Sequence, residues 1–184
     1  MKSKIVLMLV FALGACSQLL TYMPPPYRVS MESTAELKTI GGSNINVGPF
    51  TRTAEFDNDC GITAGSVVMP DKRSFEDYIR NGLVEELKAA GMFDDTAPKI
   101  TLTGTIDQLS LFSRRYIYTS TWSIGLLVKS SNGKSVHVTS QYNFDAGAGS
   151  HADCQRVADS YMPAVQGILA KFIDSPEYQS LVTP

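Results

Sequence analysis

Residues 122–144 read WSIGLLVKSSNGKSVHVTSQYNF. Trp122, Ile124, Leu126 and Val128 alternate with smaller or polar neighbours, and so do Val136, Val138, Tyr142 and Phe144. Alternation at period two marks half-buried strands, and Asn132-Gly133 between them is a hairpin signal. Two loops are open to this hairpin. A two-residue turn at Asn132-Gly133 sets Leu126 opposite Thr139 and Trp122 opposite Asn143, mixing apolar with polar on one face. A three-residue loop, Ser131 to Gly133, sets Leu126 opposite Val138, Val128 opposite Val136 and Trp122 opposite Tyr142. A slip of one residue moves every side chain to the other face of the sheet. The buried face therefore selects the three-residue loop, with Gly133 left-handed in a bulge.

Working outward, Lys99 to Ile106 forms a further strand, with Ile100, Leu102 and Ile106 on one face and Thr101, Thr103 and Thr105 on the other. The phase shifts at Leu109 and Leu111, which predicts a bulge near Gln108. Before it, Phe75, Ile79, Leu83, Leu87 and Ala90 recur at helical spacing. Ser74 with Asp77 supplies a capping box, and Gly91 a left-handed stop. After the strands, Cys154, Ala158, Tyr161, Val165, Ile168 and Phe172 share one helical face. Ser150 and Asp153 cap this helix, Pro163 lies inside it, and Ser175-Pro176 ends it, with one more turn expected over Glu177 to Leu181. Before the first helix the chain reads as short extended pieces, Tyr27-Val29-Met31 and Asn44 to Val47, then an irregular surface loop over 52–73. The order is strand or strands, helix, three strands, helix. It predicts an α+β two-layer sandwich, an antiparallel sheet with two helices packed on one face.

The N-terminus carries Lys2 and Lys4, an apolar run from Ile5 to Leu13, and then Leu13-Gly14-Ala15-Cys16. A positive end, a short apolar core and small residues before the cut make a secretory signal. The run is too short to span a bilayer, which takes roughly 20 apolar residues. Leu-Gly-Ala-Cys resembles the lipobox of bacterial lipoproteins, against the plainer reading of an ordinary signal peptide with an incidental cysteine. The resemblance implies lipidation of Cys16, cleavage after Ala15 and stable anchoring by more than one acyl chain. Ser17 follows the cysteine and no aspartate does. By the family rule this places the protein at the cell outer membrane of a Gram-negative cell, facing the periplasm. The expected organisation is a signal peptide over 1–15, a lipidated Pro-rich tether over 16–26, stiffened by Pro24 to Pro26, and one domain over 27–184.

Loss of Lys2 and Lys4 with the signal moves the net charge from −2 to −4. A mildly acidic surface without a basic stripe argues against nucleic acid. Cys60 and Cys154 remain once Cys16 is lipidated. In an oxidising compartment two cysteines most simply pair with each other; no Cys-x-x-Cys or cysteine–histidine spacing supports a reactive thiol or a metal site.

No catalytic constellation stands out, and no cofactor is expected. His137 and His151 read as solvated surface histidines. Asp57-Asn58-Asp59-Cys60-Gly61 lacks the ligands that would continue a calcium loop, so an acidic turn beside a disulfide is the expectation. Gly147-Ala148-Gly149-Ser150 offers backbone amides to an anion but has no lysine after it. Phe112 to Tyr118 places Arg114, Arg115 and Tyr116 between aromatics at a hairpin tip. That tip is either a solvated turn or a contact for a lipid headgroup or partner protein.

The stretch Ser74 to Leu87, followed by Ala90-Gly91-Met92-Phe93, resembles part of a loose group of small periplasm-facing lipoproteins. The group includes the lipopolysaccharide-assembly lipoprotein LptE, YajG-type lipoproteins and the N-terminal domain of TolB. The likeness covers residues 44–172 as architecture and transfers no functional residue. Two roles are compatible with it. One is an adaptor or accessory in cell-envelope assembly, docking an envelope protein through a sheet edge or hairpin tip. The other is a binding module for lipid, lipopolysaccharide or a glycan in a groove between sheet and helices. An uncovered strand edge beside a closed core would favour the adaptor. A groove with apolar walls rimmed by Arg114 and Arg115 would favour the binding module.

Overall fold

The computed structural model describes residues 21–42, 44–60, 65–112, 119–145 and 152–184. The elements are β1 (Thr21–Tyr22), α1 (Met31–Ile40), β2 (Ile45–Arg52), β3 (Ser66–Val67), α2 (Phe75–Ala90), β4 (Ile100–Phe112), β5 (Thr119–Ser130), β6 (Ser135–Asp145), α3 (Ala152–Ile173) and α4 (Tyr178–Val182). Four strands form the main sheet in the order β2-β4-β5-β6, and β1 pairs with β3 in a separate two-stranded sheet. Helices pack on one face of the main sheet, as an α+β two-layer arrangement.

The β5–β6 hairpin takes the register that the buried face selects. Leu126 lies opposite Val138, Val128 opposite Val136 and Trp122 opposite Tyr142. Gly133 has a φ of 88°, and its N–H donates to the Ser130 carbonyl to close the loop. The β4–β5 register shifts between Ile106 and Gln108, so Asp107 is the extra residue of the bulge.

Helix α2 keeps its expected bounds. The Ser74 hydroxyl accepts from the Asp77 N–H, the Asp77 carboxylate accepts from the Ser74 N–H, and Gly91 is left-handed. Its stripe of Phe75, Ile79, Leu83 and Leu87 is buried, as are Cys154, Ala158, Tyr161, Val165, Ile168 and Phe172 along α3. Trp122 is fully buried between them. Its indole N–H donates to the Ser160 hydroxyl at 2.9 Å, and its ring meets Tyr161 edge-on at 5.0 Å. Asn132 in the hairpin loop donates to the Ser180 and Thr183 carbonyls, which secures the C-terminal end of α4 against the sheet.

Three expectations change. First, the sheet is not antiparallel throughout, because β2 pairs with β4 in parallel. The reason is connectivity: α2 carries the chain back between them, and a crossover of this kind joins parallel strands. Second, no strand forms over Tyr27-Val29-Met31: residues 27–30 are irregular and α1 begins at Met31. Its Ser30 cap accepts from Ser33 N–H, and the helix ends at Gly41. Third, the tether does not run to residue 26. Tyr22 lies beside Val67 in the β1–β3 pair, and the Pro25 carbonyl accepts from the Tyr78 hydroxyl at 2.6 Å. The folded unit therefore includes Thr21 to Pro26. Apolar contact supplies the reason, since Tyr27 lies against Gly82 of α2, where any added Cβ would meet its ring.

A disulfide joins Cys60 to Cys154 with their Cα atoms 5.4 Å apart. Both residues are buried. Four tyrosines, Tyr27, Tyr78, Tyr161 and Tyr178, have their ionisation pushed above the ordinary range, burial being the first cause in each. The hydroxyl bond to Glu86 adds to the effect at Tyr27. Groups raised in the folded state contribute stability that is whole below the unfolded value and lost as pH rises. Stability should therefore hold to about pH 10 and fall beyond it. An alkaline titration should show loss of near-ultraviolet dichroism together with tyrosinate absorbance. Tyrosines ionising at their ordinary value in a still-folded chain would overturn this.

Candidate functional site

The two edges of the main sheet are treated differently. At β2, Ile45 is occupied on its outer side, where its N–H donates to the Met92 carbonyl and its carbonyl accepts from the Asp94 N–H. The Val47 N–H donates to its neighbour's side chain, Asn46 Oδ1, at 2.8 Å. Arg80 of α2 reaches across and donates to the Val47 and Gly48 carbonyls at 2.6 and 2.8 Å. Pro49 has no N–H to offer, and the strand's register shifts between Val47 and Phe50. Proline and a bulge are the devices by which proteins blunt an edge.

At β6 such devices are nearly absent among the described residues. The strand runs for 11 residues without proline, and its pairing to β5 proceeds without a shift. The Ser130 N–H donates to the Lys134 carbonyl, which sets the phase of the antiparallel ladder. Even-numbered residues of β6 direct their backbone groups to β5. Odd-numbered ones, from Ser135 to Asp145, direct theirs outward. One of those carbonyls, of Thr139, accepts from Lys171 Nζ of α3 at 3.1 Å.

Side chains along this edge fall into two sets. Thr139, Gln141 and Asn143 are exposed on the open face of the sheet. On the helix side, Val138, Tyr142 and Phe144 are only half-buried, as is Met162 of α3 beside the core. Tyr142 and Phe144 stack at 6.5 Å. The edge thus presents a backbone ladder with a partly covered apolar row beneath it. Another strand with alternating apolar and polar residues would satisfy both.

The open face also changes one reading. His137 is not simply solvated, because its Nε2 lies 2.9 Å from Asp107 Oδ2, two strands away. The bulge aims Asp107 across Gly125, where a Cβ would collide with its carboxylate. The absence of a side chain on β5 lets β4 reach β6. For a half-exposed pair this is worth at most about 1 kcal/mol. Spacing could not reveal it, since the contact depends on which residue bulges.

A concavity of about 560 Å³ lies on the outer side of α2, walled by Tyr27, Tyr78, Val84 and Phe93. Cations around it are engaged: Arg73 with Asp71, Lys88 with Glu85 and Arg80 with the β2 carbonyls. The groove envisaged from the sequence was to be rimmed by Arg114 and Arg115. Those residues, with Tyr116, lie outside the described residues, as do Cys16, His151, the 147–150 glycine stretch and the Ser150 cap. Around the disulfide, Asp57 Oδ1 accepts from the Asp59 N–H and Asn58 donates to the Val67 carbonyl. The acidic turn is thus held by its own hydrogen bonds. Among the described residues no helix is long and apolar enough to cross a membrane.

No known family model matches the sequence, and no curated protein is similar to it. Its likenesses are to solved structures. A Xanthomonas campestris protein of the DUF330 family is 10% identical with a TM-score of 0.49, over 84% of this chain and 92% of that one. A Caulobacter crescentus protein named as a "putative lipoprotein" is 10% identical with a TM-score of 0.46, over 77% of this chain and 90% of that one.

Proposed function

We propose that this chain is a lipid-anchored cell-envelope accessory that docks an extended segment of another envelope protein along β6. The observation that supports the reading is the contrast between the two edges. β2 is closed by Arg80, Asn46, Pro49 and the Ile45 bonds, while among the described residues β6 keeps a long outer row from Ser135 to Asn143 in which Lys171 takes one carbonyl. Natural sheets usually blunt exposed edges because they recruit other strands. A chain that closes one edge with four separate devices and leaves its longer one open is suited to accept a strand there. The partner segment has alternating character, apolar toward Val138, Tyr142, Phe144 and Met162, polar on the other side.

A photoreactive residue at Gln141, in the lipidated protein in its own cell, tests this. The expected result is a discrete protein adduct at Gln141 and none from a probe at Thr103, which sits on the same face two strands inward. Asn143→Pro removes an outward N–H and the exposed Thr121 hydroxyl bond to Asn143 Oδ1 but keeps the backbone ladder to β5, so it should abolish the Gln141 adduct while circular dichroism stays unchanged. Equal labelling at Thr103, or an adduct that survives Asn143→Pro, would count against strand docking. Lipid adducts at Gln141 would instead direct attention to the lipid, lipopolysaccharide or glycan reading.

A further inference from the structure

We propose that the paired segment from Thr21 to Pro26 holds one particular end of the domain against the lipid headgroups. This rests on the reading of Cys16 as the lipidated residue, and it reverses the expectation of a stiff spacer. Thr21 and Tyr22 lie beside Ser66 and Val67 in parallel register, and the Tyr22 carbonyl accepts from the Val68 N–H at 2.9 Å. The prolines then run along the domain, with Pro25 bonded to Tyr78 and the Arg28 carbonyl to Gln166 of α3. Only the five steps from Cys16 to Thr21 are left to span the gap, about 17 Å at full extension.

That short reach selects an end. β3 is tied to the Cys60 turn by the Asp59–Ser66 bridge, and Cys60 to the first turn of α3 by the disulfide. The start of α3 lies beside the finish of β6, where Arg156 pairs with Asp145 at 3.7 Å. β4 finishes at this same end with Phe112, and β5 begins there with Thr119, opposite Asp145. Two exposed apolar side chains belong to this region: Met23, directly after β1, is 51% exposed and Phe112 is 48% exposed. The opposite pole is the Ser131–Gly133 loop with α4. Along the 11 residues of β6 the two poles are separated by about 33 Å. The Phe112 pole therefore faces the bilayer that holds Cys16, and the β6 edge extends away from it, with Asp145 near and Ser135 far.

The test uses lipidated protein in phosphatidylethanolamine–phosphatidylglycerol vesicles, with a photoreactive residue at Met23, Phe112 or Asn132. Lipid adducts are expected at Met23 and Phe112 and not at Asn132. Inserting a glycine–serine linker of about 20 residues after Ser17, with a typical span of about 25 Å, should abolish the Phe112 adduct while the protein still pellets with vesicles. An Asn132 adduct as strong as that of Phe112 overturns the orientation, as does a Phe112 adduct that survives the linker. Protein that fails to pellet, or a Cys16→Ser variant that pellets equally well, overturns the anchor reading itself, and this proposal with it.

Discussion

Replacing Cys60 and Cys154 together by alanine is expected to cost about 4–5 kcal/mol, because the bond closes a loop spanning 94 residues and the lost chain entropy grows with that span. Domains of this kind have only about 5–15 kcal/mol in hand, so the variant should lie near the threshold of folding. The local consequence is as informative as the global one. Thr53 donates to the Ile106 carbonyl and Phe56 packs on Phe75 and Trp122, but among the described residues the backbone bonds from Asn58 to Val68 run only within the 53–69 segment and to β1. Hydrogen exchange should therefore rise first at Asn58, Cys60 and Val67, and at Tyr22 with them, before α2 and the main sheet open. Urea denaturation of the oxidised protein, of the reduced protein and of the alanine pair provides the measurement. A midpoint that barely moves would mean the denatured chain already holds these segments together, and the entropy argument would fail.

The second large effect is expected at Glu86. This carboxylate is fully buried and has no cation against it among its hydrogen-bond partners. It accepts from the Tyr27 hydroxyl at 2.7 Å, from the Ser30 N–H at 2.8 Å and from the Thr34 hydroxyl at 3.3 Å. The donors belong to the N-terminal strap and the first turn of α1, whose positive dipole end compensates a buried anion. Glu86→Ala leaves a buried N–H and two hydroxyls without an acceptor, at a cost of about 3 kcal/mol, since bonds to a charged group and orphaned donors are both expensive. Glu86→Gln keeps an acceptor for Tyr27 and Ser30 and should lose only about 1 kcal/mol. The Ala variant should also release protection in residues 27–40 while that of β4 to β6 persists. Equal losses for Ala and Gln would show that packing around residue 86, and not the strap's hydrogen bonds, sets the cost.

Both predictions concern parts of the molecule that are hard to read from residue patterns. α1 carried usable signals, a serine cap at Ser30 and a glycine stop at Gly41-Gly42, yet its buried residues are only Ser33 and Leu37. A helix that buries so little shows no stripe, and alternating residues at 27–31 then look like a strand. Its position depends on Glu86 and Gly82, about fifty residues away, and each is ordinary in its own local context. By contrast, α2 was legible almost to the residue, because its cap, stripe and stop are all local.

Everything set by nearest neighbours and by one buried face is legible in the order of residues. This covers the bounds of α2, a bulge near Gln108, the β5–β6 register and the three-residue loop. A strand's alternation leaves one pairing that keeps apolar residues together, so register follows from a short window. The tertiary structure alone decided the direction of β2, the fate of each sheet edge and the path of the prolines over α2. An edge is closed by whatever side chain arrives from elsewhere: Arg80 at β2 and Lys171 at one carbonyl of β6. Nothing in the sequence of either strand records which groups will come to lie beside it, because those contacts form only once the helices have packed.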